Sequence, residues 1–185
     1  YRVGALKNPR NDAQAMAKRL KDAGFEVTVK LDAGRTDMSR AIREFGATLA
    51  RTKGVGVFYY AGHGVQLNWR NFLVPVDAVI RTKADIQAQA VDLGQLFDEL
   101  GQARNALNVV ILDDRGLSQI DAPPGTILAY ATAPGHTAED GDTDNGLYTG
   151  HLLQEMTTPG AAVEEVRGSR PRPRRPNRGD RPSFP

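Results

Sequence analysis

The 185-residue chain contains no cysteine. That absence excludes disulfides, thiolate metal sites and thiol chemistry within these residues, and it leaves cysteine usage silent on redox compartment. No uninterrupted apolar run reaches the roughly eighteen residues that a spanning helix needs, so no membrane partner is expected. Neither a Gly-x-Ser-x-Gly elbow nor a phosphate loop occurs, which removes two common routes to hydrolase and nucleotide chemistry in α/β proteins. Aromatic residues are only 6% of the chain, with one Trp. No signal-peptide pattern is visible. The chain opens on Tyr1 and not on Met, and it reads as a fragment with its natural N-terminus elsewhere.

What is present fits one globular domain. Hydrophobic residues make up 40% of the chain, enough for a core. The net charge of +2 conceals an asymmetry: residues 167–185 carry seven Arg and one Asp, while the other 166 residues hold 17 basic and 21 acidic groups, a net of −4. The expected organisation is a domain over residues 1–166 followed by an Arg/Pro-rich tail. That tail, with Phe184 its only large apolar residue, buries too little to offset its ordering entropy. It attracts nucleic acid only non-specifically, because no aromatic platform is interleaved with the Arg residues.

Periodicity predicts alternating helices and strands. Asn11 is read as the cap of a helix reaching Ala23, with Ala13, Met16, Ala17 and Leu20 on one face and Gly24 as the stop. Residues 25–31 alternate apolar and polar as a half-buried strand does. Thr36 is read as the cap of a second helix with Met38, Ile42, Phe45 and Leu49 as its buried stripe. Residues 55–60 are apolar on both faces, as is a central parallel strand covered by helices on both sides. A helix over Leu93–Ala103, strands at 109–112 and 126–131, and a helix over 147–156 complete the pattern. This alternation implies an α/β fold with right-handed crossovers and a mostly parallel sheet. Polar and ligand-binding residues of such sheets gather at the carboxyl ends of the strands, here just after Tyr60 and Leu112.

Three stretches hold candidate chemistry. His63 lies between Gly62 and Gly64 at the end of an apolar strand, where the glycines permit a tight turn and close backbone approach. A histidine there can serve as a general base or simply hydrogen-bond in a loop. Asp113 and Asp114 end the next strand. As neighbours they could bind a cation or a metal, or form a solvated turn with Arg115 as counter-ion, which is the reading favoured on these residues alone. Residues 139–146 alternate acids like a calcium loop, but Gly146 falls one position late and His151 stands where a Glu is required. An acidic surface loop is the expected reading. Calcium is the one cofactor these residues raise, and no other is expected.

Taken in order, these pieces resemble the bacterial caspase-like proteins and metacaspases. Tyr59-Tyr60-Ala61-Gly62-His63-Gly64-Val65-Gln66 is similar to their histidine motif. Leu6-Lys7-Asn8-Pro9-Arg10-Asn11-Asp12-Ala13 is similar to their entry into the first helix. Asn71-Phe72-Leu73-Val74-Pro75-Val76-Asp77 and the stretch from Ala131-Thr132-Ala133-Pro134-Gly135 to Asn145-Gly146-Leu147-Tyr148-Thr149 follow in the family's sequence. The resemblance implies a caspase-like three-layer sandwich and a cysteine-type endopeptidase. It implies His63 as catalytic base, the Gly64 N–H as an oxyanion donor, and Asp12 and Asp113 as acids reading an Arg or Lys side chain of a peptide substrate. For Asp12 the plain alternative is a first-turn carboxylate that favours the helix dipole.

The chain departs from the family in three places. Aligned without a gap, Arg115 stands where the cysteine belongs, and a guanidinium is not a nucleophile. Ser118, three residues on, has no reason to face His63. The family's first strand is absent before Tyr1, which would leave a sheet edge or groove exposed, and Arg/Pro-rich sequence begins abruptly after Val166. A pseudo-peptidase, a truncated or misframed product, or a Cys-bearing loop missing between Asp113 and Asp114 would each account for this. As given, the chain is expected to be inactive. Its alternative role is a non-catalytic module that binds basic peptides or a protein partner.

Overall fold

The computed structural model describes residues 8–130 and 146–156. The tail at 167–185 and the acidic stretch at 139–145 lie outside the described residues. Five helices and five strands are described: α1 (Pro9–Asp22), α2 (Arg35–Thr52), β1 (Val55–Leu67), β2 (Arg70–Leu73), α3 (Lys83–Gln89), β3 (Val91–Asp92), α4 (Leu93–Ala103), β4 (Leu107–Arg115), β5 (Thr126–Tyr130) and α5 (Leu147–Glu155). The strands form one mixed sheet in the order β3-β2-β1-β4-β5. Its long pairings, β1 with β4 and β4 with β5, are parallel, and the short ones to β2 and β3 are antiparallel.

Alternation along the central strands sorts their side chains onto two faces. Phe58, Tyr60, Val110, Leu112, Leu128 and Tyr130 face α2 and α4, where Ile42, Leu49, Leu93, Leu96 and Leu100 complete the main core. Leu93 and Leu96 are fully buried, each contributing about 1.5–3 kcal/mol relative to exposure. Val57, Tyr59, Val109 and Ile111 point the other way, onto Met16 and Leu20 of α1 and Leu152 of α5. The helices cover both faces, as the doubly apolar strands require.

Several local expectations change. The first helix begins at Pro9 with Asn8 as cap, so Asn11 lies inside it. Pro is well suited to a first turn, since its missing N–H would have been unpaired there. Its end follows the expected form: Gly24 is left-handed at φ +88°. Its N–H bonds Lys21, and the Phe25 N–H bonds Leu20, which is a Schellman closure. Gly34, not Thr36, caps α2, and the Asp77 carboxylate accepts the Arg35 N–H at 3.1 Å from across the chain. Residues 25–30 do not form a strand. Phe25 and Val27 pack against the α1 side of the core, but among the described residues no strand pairs with this segment. The hydrophobic alternation was real, and the ladder partner that would convert it into a strand is not among those residues.

Candidate functional site

β1 outruns its parallel neighbour. The β1/β4 ladder ends with Arg115 opposite His63, and beyond it residues 64–67 pair only with β2. No tight turn forms at the glycines, contrary to expectation. The strand continues through them, and the reversal occurs later, at Asn68 and Trp69. Gly62 and Gly64 serve close packing instead. A Cβ on Gly62 would lie 2.6 Å from the Tyr60 hydroxyl, and one on Gly64 would collide with Leu117 and sit 2.8 Å from Asp114 Oδ2.

His63 is half-buried at this strand end. Its carbonyl accepts the Val74 N–H at 2.9 Å and the Tyr60 hydroxyl at 2.8 Å. The bond from Val74 makes Gly64 and Leu73 a non-hydrogen-bonded pair of the antiparallel ladder. The Gly64 N–H therefore points away from β2, toward the end of β4. Register places His63 and Asp113 on the same face of adjacent strands, two residues out of step. Strand rise and spacing put their Cα atoms about 8 Å apart.

On that face the two acids singled out from the sequence come together. Asp12 of α1 is 3% exposed, and its Oδ1 accepts the N–H of Gly146, the cap residue of α5, at 2.9 Å. Asp113 accepts the Thr149 hydroxyl at 2.5 Å and lies 3.3 Å from the Tyr59 hydroxyl. Tyr59 and Thr149 are themselves 2.7 Å apart. A Cβ on Gly146 would be 3.2 Å from Asp12 Oδ2 and 3.7 Å from Asp113 Oδ2. The carboxylates thus converge on the one residue between them that has no side chain. The surroundings register their charge. Burial pushes the Tyr59 phenol far above its ordinary range, and Asp113 and then Asp12 add to the shift. Burial and Asp113 raise Tyr148 to about 12.

Asp114 belongs to the opposite face. The expected solvated turn is not found: Asp113, Asp114 and Arg115 are successive residues of one uninterrupted strand, and Asp114 is 4% exposed. Strand alternation therefore separates the two acids, so they cannot act as a paired carboxylate site. Among the described residues no cluster of three His, Asp or Glu is arranged to hold a metal. Asp114 Oδ2 accepts the Leu117 N–H at 2.8 Å. Burial raises its carboxyl to about 6 against that bond, and Asp113 adds to the rise.

A family model described as the caspase domain matches residues 1–167. The chain belongs to the caspase domain family. It is 32% identical over 166 residues to human mucosa-associated lymphoid tissue lymphoma translocation protein 1, an alignment covering 82% of this chain and 20% of that protein. The mouse homologue gives the same identity, with 19% of its length covered. This caspase domain thus spans about a fifth of the length of those relatives. It carries the family's peptidase fold and, with no cysteine anywhere in its sequence, lacks the family's thiol.

Sequence reading of this caspase domain did not find Tyr59, Thr149 and Gly146, which frame the acidic pair, or Asn71, Tyr60 and Leu117, which brace the histidine strand. The period-two pattern of residues 57–63 was the available signal for Tyr59, since it puts residues 59, 61 and 63 on one face. Nothing local marks Thr149 or Asn71, whose partners lie 36 and 47 residues away.

Proposed function

We propose that this caspase domain binds extended peptides through an Arg or Lys side chain and does not cleave them. One observation carries the reading: Asp12 and Asp113, from two different elements, converge around Gly146. Two carboxylates held beside buried phenols make a region of negative potential, and a guanidinium fork matches carboxylate oxygens bidentately. A peptide lying across the end of β4 would pass His63, the last residue of β1 in register with β4. Cleavage would need a nucleophile beside His63. The chain has no cysteine, and the residue opposite His63 is Arg115. His63 then acts as a hydrogen-bonding group toward the peptide and not as a base for a thiol.

The test is fluorescence anisotropy with a labelled Arg peptide and its citrulline counterpart. The Arg peptide should bind at least about tenfold more tightly, in line with a charged hydrogen-bonded pair of about 1.5–3 kcal/mol. Asp113→Asn should remove most of that preference while the far-UV circular dichroism stays unchanged. Mass spectrometry should find the peptide intact after prolonged incubation. Equal affinity for both peptides would refute the binding claim, and a hydrolysis product dependent on His63 would refute the claim of no cleavage.

A further inference from the structure

The histidine strand is braced from behind by residues 116–118. Gly116, left-handed at φ +115°, turns the chain out of β4. A Cβ there would lie 2.5 Å from the Gly64 carbonyl oxygen, and only glycine allows this approach. Leu117 is 5% exposed and packs into the main core against the site of Gly64. Ser118 is held through its backbone: the Asn71 side chain donates to its carbonyl at 2.6 Å and accepts its N–H at 3.1 Å, as a neighbouring strand would. The Tyr130 hydroxyl also donates to the Ser118 carbonyl at 3.4 Å, and Asp114 adds a further restraint: its Oδ2 accepts the Leu117 N–H and lies 2.8 Å from where a Gly64 Cβ would be.

We propose that Asp114 is a positioning residue for the peptide-binding strand end: its carboxyl group fixes the brace at residues 116–118 behind His63 and Gly64, and taking up a proton tightens that brace. The direction follows from burial. Closed, the carboxyl sits out of water among Tyr60 of β1, Tyr130 of β5 and the Leu117 amide, with Asp113 of its own strand adding a second negative charge. Both phenols are pushed upward, Tyr130 to about 12, and stay neutral over the range tested. A carboxyl that is raised to about 6 when closed, and ordinary when open, favours the closed form in acid. The placement of Gly64, against which Gly116 and Leu117 pack, then follows the proton state of a group on the far face of the sheet. This inference rests on the peptide-binding reading for its purpose, but not for its test.

The test is amide hydrogen exchange of Leu117 in the full chain, corrected for intrinsic rate. Protection should be about tenfold lower at about pH 7.5 than at about pH 5. Asp114→Asn keeps the acceptor oxygen without the charge, and its protection should not vary with pH. In His63→Asn the Leu117 amide should keep the pH dependence it has in the parent protein, which assigns that dependence to Asp114. A flat profile in the parent, or an unchanged pH dependence in Asp114→Asn, overturns the proposal. If Leu117 protection varies with pH as described while Arg peptides fail to bind at either pH, the brace stands and the peptide reading alone falls.

Discussion

Replacing Asp114 by Asn should change the slope of stability with pH, shifting the balance toward the variant as pH rises. In the folded state the carboxyl is raised from 3.8 to about 6, chiefly because it is buried. The folded protein therefore binds more protons than the unfolded one between those two values. Stability contributed by this group is complete below about pH 3.8 and is lost as pH rises through about 6. A shift of roughly two units corresponds to about 3 kcal/mol at most, and between about pH 4.5 and pH 8 it amounts to about 2 kcal/mol. Asn removes this dependence while keeping an oxygen for the Leu117 N–H. Its new amide group adds a packing cost that does not vary with pH. The informative quantity is thus the difference between variant and parent at pH 8 minus the same difference at pH 4.5, expected to be about +2 kcal/mol in favour of the variant. Urea unfolding followed by far-UV circular dichroism gives each stability. Fluorescence would serve poorly, because the single Trp, Trp69, is already 90% exposed when folded. A variant-to-parent difference that stays constant across this range would refute the reasoning.

Two other substitutions test separate parts of the structure. Trp69 is left-handed at φ 63° beside Asn68 at φ 52°, in a two-residue reversal where Asn-Gly is the favoured pair. Trp69→Gly removes a cost of about 1–2 kcal/mol for the left-handed side chain, less up to about 1 kcal/mol of unfolded-state entropy, so the urea midpoint should rise; a fall would show that the indole contributes packing. Arg115→Cys places a thiol opposite His63 in the strand register. An Arg-bearing alkylating peptide should label it at least about tenfold faster than it labels free cysteine, since a neighbouring histidine can take the thiol proton, and His63→Ala should abolish the advantage. Equal labelling with and without His63 would mean that the register does not bring the two side chains together.

Much of the fold was legible in the sequence because its signals are local. Helix stripes such as Met38, Ile42, Phe45 and Leu49 fall at helical spacing and do pack into the core. The doubly apolar runs at 55–60 and 109–112 become the two central strands. The failures come from interactions that are not local. Thr36 has the right chemistry for a cap, but Asp77, 42 residues from Arg35, takes that work. Residues 25–31 have the right alternation, but strand identity requires a ladder partner as well as a pattern. The glycines around His63 were read as turn residues because glycine permits turns. Their actual use, admitting the Tyr60 hydroxyl and Leu117, depends on which side chains sit across from them.

Asp113 and Asp114 show why the site was only half legible. As neighbours in sequence they read as one acidic unit, and the period of a strand divides them. Asp113 turns toward α1 and α5, where the hydroxyls of Thr149 and Tyr59 and the nearby Asp12 give it a polar setting. Asp114 turns toward the α2 and α4 side, where apolar side chains and a single amide bond receive it. The same carboxylate chemistry therefore has two different consequences. On one face, charge is concentrated where a cationic side chain could use it. On the other it is held against burial, and the proton that relieves it also steadies the backbone at Gly64. Position 114 is thus where the acid response of this site should be sought, because it is there, and not at Asp113, that removing charge improves the fit of the group to its surroundings.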